Sequence, residues 1–372
     1  MKVALVYDRI NKIGGAERVL LALHQIWPDA PLYTSVYDST RAPWARDFKV
    51  ITSFAQRLPA IKRHHEWFAW LMPLAFESFD FAGYDVVISV TSAEAKGIIT
   101  RPETLHLCYL LTPSRYLWSH SHFYQQGSYA TNKNWLTRKL TPIIFSSLRR
   151  WDYLAAQRPD QIIAISKTVA DRCRKYYHRQ VSKIIYPPVS LLSVKPDTSL
   201  KVPKNYYLLV SRLVPYKRVD LAIKAFNQLH KNLIIIGEGA QRAYLKKLAG
   251  PTVKLIGRVG EQKLARYYQK CQALVFPAEE DFGIVCLEAQ QFGKPVIAYA
   301  KGGAAETVVP GTGVLFQRPT VTALSKAVHK VESTLFDPTA CLQNTDRFSL
   351  DKFTLQFKSY VEDQWYKTHP KP

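Results

Sequence analysis

Short apolar runs recur along the chain, and helical patterns separate most of them. Residues 2–7 form the first run, which is mostly apolar instead of alternating and is therefore typical of a strand buried in a parallel sheet. Strands that alternate with helices indicate an α/β fold. Runs of the same kind predict strands at 31–37, 84–90, 106–111, 161–165, 183–186, 206–210, 233–236, 254–258, 273–276, 295–299 and 313–316.

Helical patterns fill most of the intervals between these runs. Pro142 would kink or break the helix predicted at 135–158. Ser349 precedes the last helical pattern and is a suitable N-cap residue. The helices are predicted at 16–26, 135–158, 166–177, from about 218, and at 261–270, 284–292, 321–332 and 350–365.

A stretch of small and polar residues divides the chain. Pro187 and Pro188 end one apolar run, and the following residues to 204 lack a strand or helix pattern. A length of 372 residues is enough for two domains with cores of their own. We predict an N-terminal Rossmann-like domain at 1–190, a C-terminal Rossmann-like domain at 205–345 and a final helical segment at 346–372.

One segment, 276–308, combines the chemistry needed to bind a sugar nucleotide. Glu280 lies just before the helix predicted at 284–292, and Glu288 lies inside it. Gly283 leaves backbone N–H groups near the helix start, where the macrodipole favours an anion. Carboxylates accept hydrogen bonds from diols. The segment thus offers donors for phosphate and acceptors for hydroxyl groups, although an ordinary buried α/β unit with a solvated acidic turn would share this pattern.

Several positions of this segment resemble the donor-site signature of glycosyltransferase family 4, in which seven residues separate two glutamates. The resemblance implies a retaining hexosyltransferase with the GT-B fold, in which two Rossmann-like domains face each other across a cleft and the last helix crosses back to the N-terminal, acceptor-binding domain. It rests on Glu280-Asp281-Phe282-Gly283, Glu288-Ala289, Gly293, Pro295-Val296-Ile297 and Gly302-Gly303.

Two cations flank the loop that follows the strand predicted at 206–210. Arg212 and Lys217 suit a diphosphate, since arginine binds as a fork and lysine as a compact charge. The resemblance implies that both residues bind the donor's phosphates. There they would stabilise the negative charge that develops on the leaving diphosphate. With Glu280, which would hold the transferred sugar, they are our predicted catalytic residues; two solvated basic residues are the alternative.

The resemblance also implies a set of donor-binding residues from both domains. The Gly-Gly pair after the first strand would face the donor, although a plain tight turn would look the same, and the Gly-Glu-Gly fragment at 237–239 is weak evidence alone. Glu288 would bind the ribose hydroxyls. The full set is Gly14, Gly15, Gly237, Arg258, Val259, Phe282, Gly283, Ile284 and Glu288.

The segment 112–118 resembles one found in family members that transfer mannose in bacterial surface polysaccharide assembly. The resemblance places Leu111, Thr112 and Arg115 near the sugar or the acceptor, and it favours GDP-mannose as the donor. Such members commonly carry histidine where this chain has Leu111. His120 or His122 from the following loop are candidates to replace it, and the sequence does not decide between them.

The net charge of +22 raises the local concentration of anionic partners, which include nucleic acid, lipid headgroups and phosphorylated substrates. The segment 41–81 interleaves basic residues with aromatic ones. It would form a solvated basic face over an aromatic core, or a surface that contacts anionic lipid, or a platform for bases. We predict a nucleotide-sugar donor, a glycan or lipid-linked glycan acceptor and an anionic membrane surface as partners, and no nucleic acid.

Five cysteines without a CxxC pair argue against a disulfide framework or a structural zinc site. We predict a cytoplasmic protein, peripheral at the inner face of the plasma membrane, because the sequence shows neither a signal peptide nor a membrane span. Arg212 and Lys217 would take the role of a metal and no Asp-x-Asp motif occurs, so we predict that neither a metal nor a cofactor is needed. The alternative is a magnesium site formed by Glu279, Glu280 and Asp281. Two alternatives are another GT-B enzyme, such as a nucleotide-sugar epimerase, and a basic nucleic-acid-binding protein.

Overall fold

A computed structural model of the protein describes residues 1–12, 14–119, 121, 135–189 and 194–369. The chain forms two compact units. The first comprises Met1–Pro187 together with Phe353–Pro372, and the second comprises Pro188–Lys352. Each unit contains one parallel sheet, so the predicted α/β class with two Rossmann-like domains is confirmed.

The first unit is built on a seven-stranded sheet in the order β3-β2-β1-β4-β5-β6-β7. All of its pairings are parallel. Every residue of β1, β4 and β5 is buried, as expected for the continuous apolar runs that form them. The strands are β1 (Val3–Tyr7), β2 (Leu32–Thr34), β3 (Val50–Thr52), β4 (Val86–Thr91), β5 (Leu105–Leu110), β6 (Gln161–Ala164) and β7 (Lys183–Ile184).

The helices of the first unit differ greatly in length. Pro142 lies inside the longest of them, which continues past it. Of the two outcomes predicted at Pro142, the break is therefore wrong and the kink stays a prediction. Within the part of this unit that the structure describes, the helices are α1 (Gly15–Ile26), α2 (Ile61–His64), α3 (Met72–Glu77), α4 (Trp135–Ala155) and α5 (Lys167–Tyr177).

The second unit is built on a six-stranded parallel sheet in the order β10-β9-β8-β11-β12-β13. Alternate residues of its central strand enter different cores, because Tyr207 and Leu209 pack in one cluster and Tyr206 and Leu208 in the other. The strands are β8 (Tyr206–Val210), β9 (Asn232–Ile236), β10 (Val253–Gly257), β11 (Leu274–Phe276), β12 (Val296–Tyr299) and β13 (Gly313–Phe316).

Eight helices follow among the described residues of the second unit and the end of the chain. The Ser349 hydroxyl accepts a hydrogen bond from the Lys352 N–H at 3.3 Å, which confirms the predicted N-cap. The last helix starts in the second unit and continues into the first. The helices are α6 (Val219–Leu229), α7 (Arg242–Leu248), α8 (Glu261–Lys270), α9 (Ile284–Gln291), α10 (Ala304–Thr307), α11 (Val321–Glu332), α12 (Pro338–Thr345) and α13 (Leu350–Thr368).

Two further observations concern the cysteines and the membrane. Each of the five cysteines is a buried free thiol. Within the described ranges, every helix is too short or too polar to cross a bilayer.

Candidate functional site

The strand order of the second unit places a crevice beside its central strand. From β8 the chain crosses to β9 on one side, whereas β11 pairs with β8 on the other side and continues to β12. The loops that leave β8 and β11 therefore diverge at the carboxyl edge of the sheet. Such a switch point is where open α/β sheets bind ligands.

The loop after β8 carries both predicted phosphate-binding cations. Arg212 donates a hydrogen bond to the Tyr216 hydroxyl at 2.6 Å. The Lys217 ammonium lies 5.6 Å from the centroid of the same Tyr216 ring, within cation–π range. One aromatic side chain therefore contacts both cations and fixes their spacing. The sequence analysis did not identify Tyr216, because only the fold shows that it lies between the two charges.

Lys217 forms an ion pair with Glu280, the acidic residue of the loop after β11. The Lys217 Nζ atom contacts Glu280 Oε1, and each side chain is 13% exposed. Two predicted catalytic residues, more than sixty positions apart in the chain, thus meet at the switch point. Because little water surrounds them, their attraction is screened less than that of a surface pair.

The backbone around Glu280 is anchored by the glycine pair that follows β12. Glu280 forms an isolated parallel bridge with Gly302, and the Gly303 N–H donates to the Glu280 carbonyl at 2.8 Å. Phe282, two residues on, packs its ring against Phe348 with centroids 5.6 Å apart. These contacts fix the acidic loop at both ends.

Glu288, in α9, is more deeply buried than Glu280. Its side chain is 4% exposed, and its Oε2 atom accepts a hydrogen bond from the Tyr268 hydroxyl at 2.9 Å. Gly283 is the N-cap residue of α9, and Ile284 is the first helical residue. Since glycine has no side chain, position 283 cannot cap the helix itself, which suits the start of α9 to an anion.

The Cys286 thiol is buried among these charged groups. Burial raises its pKa well above the ordinary value, and the carboxylates of Glu280 and Glu288 raise it further, whereas Lys217 acts in the opposite direction. All three charges thus act on one neutral group. Cys286 therefore stays a protonated filler of the site instead of a nucleophile.

The remaining predicted residues of this unit lie at the neighbouring strand ends. The Gly237 N–H, just after β9, donates to the carbonyl of Gly257 at the end of β10 at 2.9 Å. Gly237 has φ +146°, and a Cβ there would stand 1.8 Å from the Ser211 carbonyl oxygen, so only glycine fits. Arg258 is exposed and Val259 half-buried directly after β10. These residues share the edge of the sheet that carries Lys217 and Glu280.

Gly14 and Gly15 belong to the first unit, where Gly14 caps α1 and Gly15 begins it. The adjacent Glu17 is buried and accepts a hydrogen bond from the Tyr7 hydroxyl at 2.7 Å. The two glycines therefore lie at the carboxyl end of β1, which is the switch point of their own sheet. Their predicted contact with a donor stays a prediction.

Leu111, Thr112 and Arg115 also belong to the first unit, in the segment that follows β5. Thr112 is buried, whereas Leu111 and Arg115 are half-buried. The Leu111 N–H donates to the carbonyl of Thr91, the last residue of β4, at 2.8 Å. His120 and His122, the candidates to replace the family histidine, lie outside the described residues.

A buried carboxylate that sequence reasoning missed anchors this segment. Asp152 of α4 accepts hydrogen bonds from the Ser114 hydroxyl at 2.7 Å, the Trp118 indole N–H at 2.7 Å and the Tyr177 hydroxyl at 2.8 Å. It also pairs with Lys96, and each side chain of that pair is 1% exposed. Neither Lys96 nor Asp152 stands in a sequence pattern that predicts its burial. Only the fold shows that the two residues form a buried network.

The arrangement in the second unit offers cations, carboxylates and a helix start at one edge of a sheet. Cations with fixed positions stabilise a leaving diphosphate without reorganisation. Carboxylates at two depths can accept hydrogen bonds from hydroxyl groups at two positions of one ligand. Among the described residues, no cluster of three or more His, Cys, Asp or Glu side chains is placed to hold a metal ion.

Comparison with known proteins finds similarity over the segment that contains this site. Residues 194–341 match the family described as Glycosyl transferases group 1. A GDP-mannose-dependent monoacylated alpha-(1-6)-phosphatidylinositol monomannoside mannosyltransferase of Corynebacterium glutamicum is 38% identical over 31% of this chain and 35% of its own length. An alpha-1,3/1,6-mannosyltransferase of Candida glabrata is 26% identical over 83% of this chain and 78% of its own length.

The fold is shared over nearly the whole chain. The structure of a sucrose-phosphate synthase from Thermosynechococcus elongatus has a TM-score of 0.73 and 18% identity, and the match covers 99% of this chain and 100% of that one. This likeness confirms the predicted GT-B fold class. The chain spans only 35%, 47% and 41% of the length of three curated relatives. The similarity to the Glycosyl transferases group 1 family thus lies within the second unit, and the activity of the whole protein is a matter for proposal.

Proposed function

We propose that this protein is a retaining hexosyltransferase of glycosyltransferase family 4, which moves a sugar from a nucleotide diphosphate to a hydroxyl of a glycan or lipid-linked glycan. The observation that carries the proposal is the Lys217–Glu280 ion pair at the switch point of the second unit. It joins a phosphate-binding cation to a hydroxyl-binding carboxylate inside the segment that matches the glycosyltransferase family.

The chemistry follows from these groups. The bond between the anomeric carbon and the diphosphate oxygen breaks, and a bond to the acceptor oxygen forms. Arg212 and Lys217 stabilise the negative charge left on the diphosphate, while Glu280 holds hydroxyls of the transferred sugar. The leaving phosphate accepts the proton of the acceptor hydroxyl, so the reaction occurs on one face of the sugar and retains its configuration. Glu288 binds the ribose hydroxyls.

We further propose that the donor is GDP-mannose and that no metal ion is required. The names of the mannosyltransferases from Corynebacterium glutamicum and Candida glabrata support mannose, and the first of them supports the guanosine nucleotide. Arg212 and Lys217 supply the positive charge that a metal would otherwise provide. A role in surface polysaccharide assembly would give a lipid-linked acceptor and bring the enzyme to a membrane surface.

A panel of nucleotide sugars tests the donor. We expect GDP-mannose to raise the thermal unfolding temperature more than UDP-glucose, UDP-galactose or GDP-fucose, because ligands that bind only the folded state stabilise it. Slow hydrolysis of the preferred donor should then release the nucleoside diphosphate and an α-configured sugar. Formation of an isomerised sugar nucleotide without any acceptor would instead favour the epimerase alternative.

Two substitutions test the site itself. We expect Arg212→Ala and Glu280→Ala each to abolish turnover while the protein stays folded. Arg318→Ala is the matched control, since that arginine is exposed in the same unit just after β13. Near-normal turnover in Arg212→Ala or Glu280→Ala would remove the role assigned to that residue.

A further inference from the structure

Two segments of the first unit leave large apolar side chains exposed. Trp67 is 66% exposed, Trp70 56% and Leu74 55%, all in the stretch that contains α2 and α3. Ile143 is 65% exposed and Ile144 36%, both in the third turn of α4. We refer to these five side chains as the exposed apolar patch.

The exposure does not result from poor packing of the segment. Between the two tryptophans, Phe68 packs against a small core that includes Ile61, Met72 and Ala75, each 0% exposed. The segment is therefore held by its own buried residues. Trp67 and Trp70 are the members that this packing directs away from the core.

The two segments lie side by side. Ala69 packs in the cluster formed by Leu117, Phe145 and Leu148, which connects the tryptophan segment to α4 directly beside Ile144. Further along, Glu77 accepts a hydrogen bond from the Trp151 indole N–H at 2.8 Å. Both contacts run in the same chain direction, so residues 69–77 follow α4 from Phe145 to Trp151. The exposed apolar patch is therefore one surface drawn from two parts of the chain.

Area and charge indicate what covers this surface. The two indoles alone expose roughly 300 Å², when a whole tryptophan side chain is taken as about 250 Å². An apolar patch of several hundred square ångströms on a soluble unit marks an interaction site. Exposed basic side chains accompany it, namely Arg57, Lys62 and Arg150. Tryptophan beside lysine and arginine suits the membrane interface, where indoles enter the headgroup layer and cations attract anionic lipids.

We propose that the exposed apolar patch, with Arg57, Lys62 and Arg150, docks this protein on the surface of a bilayer that contains anionic lipid. Residues 54–76 contain three arginines and lysines but one acidic residue, Glu66, so the charge of the segment complements such a surface. The sequence had suggested only that the segment 41–81 contacts the membrane. The structure limits the contact to exposed side chains within 57–74 and adds exposed side chains of α4. This inference does not depend on the proposed sugar transfer.

Vesicle flotation without any nucleotide sugar tests the proposal. We expect the full chain to float with vesicles of phosphatidylcholine that contain roughly a third phosphatidylglycerol, and to float poorly with phosphatidylcholine alone. Trp67→Ser combined with Trp70→Ser should reduce vesicle affinity more than tenfold. Leu355→Ser is the matched control, since Leu355 is 72% exposed on α13 and should bind as the wild type does.

A second pair of variants tests the charge. Lys62→Gln with Arg150→Gln should reduce affinity for the anionic vesicles about thirtyfold, since each cation near such a surface contributes about fivefold. Lys246→Gln with Lys330→Gln removes two exposed charges from the second unit and should have little effect. Thermal unfolding temperatures of all variants confirm that they are folded.

Three outcomes would overturn the proposal. The first is wild-type flotation by the tryptophan variant, and the second is equal flotation with neutral and anionic vesicles. The third is tryptophan-dependent binding to single-stranded DNA without vesicle binding, which would assign the patch to nucleic acid. Because no donor is present, failure here leaves the proposed transfer intact, and failure of donor hydrolysis leaves this proposal intact.

Discussion

Gly302→Ala gives a sharp test of the candidate site, because the structure provides a matched control for it. Gly302 has φ +74° and Gly311 has φ +85°, so alanine is strained by the backbone at both positions. A Cβ at Gly302 would stand 2.3 Å from the Glu280 carbonyl oxygen, whereas the nearest atom to a Cβ at Gly311 is 4.0 Å away. The pair therefore separates backbone strain from displacement of Glu280.

The magnitudes follow from these distances. Alanine in the left-handed backbone conformation of either position costs about 1–2 kcal/mol. Alanine also lowers the conformational entropy of the unfolded chain, which offsets about 0.4–1 kcal/mol of this cost. Gly311→Ala should therefore lower the unfolding temperature of the second unit by only a few degrees. At Gly302, relief to an ordinary contact of 3.4 Å requires a shift of about 1 Å between the two backbones. That overpacking adds about 1–3 kcal/mol, and a 1 Å displacement of a catalytic group costs about a hundredfold in rate.

Donor hydrolysis and thermal unfolding are the assays. We expect Gly311→Ala to retain wild-type kcat/KM, and Gly302→Ala to lose about a hundredfold while it remains folded at the assay temperature. If Gly302→Ala matched Gly311→Ala in both activity and unfolding temperature, the position of the Glu280 loop would not depend on its bridge to Gly302. The predicted role of Glu280 would then lose its structural support.

Four further predictions concern single groups. Lys96→Met should lower the stability of the first unit by about 3 kcal/mol, as urea unfolding would measure, because it leaves a buried carboxylate without its cation; a change within error would contradict the buried network. Tyr268→Phe should weaken GDP binding by calorimetry about fivefold with kcat unchanged, since Glu288 loses one hydrogen bond of about 1 kcal/mol; a fall in kcat alone would place Glu288 elsewhere. Lys217→Met, Glu280→Gln and the double variant form a cycle in which we expect about 1–3 kcal/mol of coupling in unfolding free energy, whereas additive effects would show that the pair contributes nothing. Treatment with EDTA should leave turnover unchanged, and recovery of lost activity by magnesium would refute metal independence.

The sequence was informative where one chain segment carries a whole pattern. Buried parallel strands are continuous apolar runs, so the strand predicted at 206–210 has the same bounds as β8. The spacing of Glu280 and Glu288 placed them before and inside α9, as observed. In both cases the information is local, since it depends on residues within one or two turns of each other.

Other elements carried too little pattern to be predicted. The strand β3 has three half-buried residues at the edge of its sheet, and α2 has four residues, which is about one helical turn. The strand predicted at 31–37 ends at Thr34 as β2, and the next residue, Ser35, donates its side-chain hydroxyl to the Asp8 carbonyl at 2.5 Å. Short edge strands, single-turn helices and hydrogen bonds from side chains to distant backbone atoms leave no periodic pattern in the sequence.

The ion pair at the centre of the site could not be predicted, and it changes how the site is understood. The family resemblance assigns the two residues separate roles: Lys217 would bind the donor's phosphates, and Glu280 would bind the hydroxyls of the sugar. In the structure each charge neutralises the other, and each side chain is 13% exposed. A diphosphate that bound Lys217 in the proposed way would therefore compete with Glu280 for this cation. Under the proposed roles, a whole sugar nucleotide would offer hydroxyl groups to the carboxylate, whereas a bare nucleoside diphosphate would not. We therefore expect the whole sugar nucleotide to bind more tightly than the bare nucleoside diphosphate.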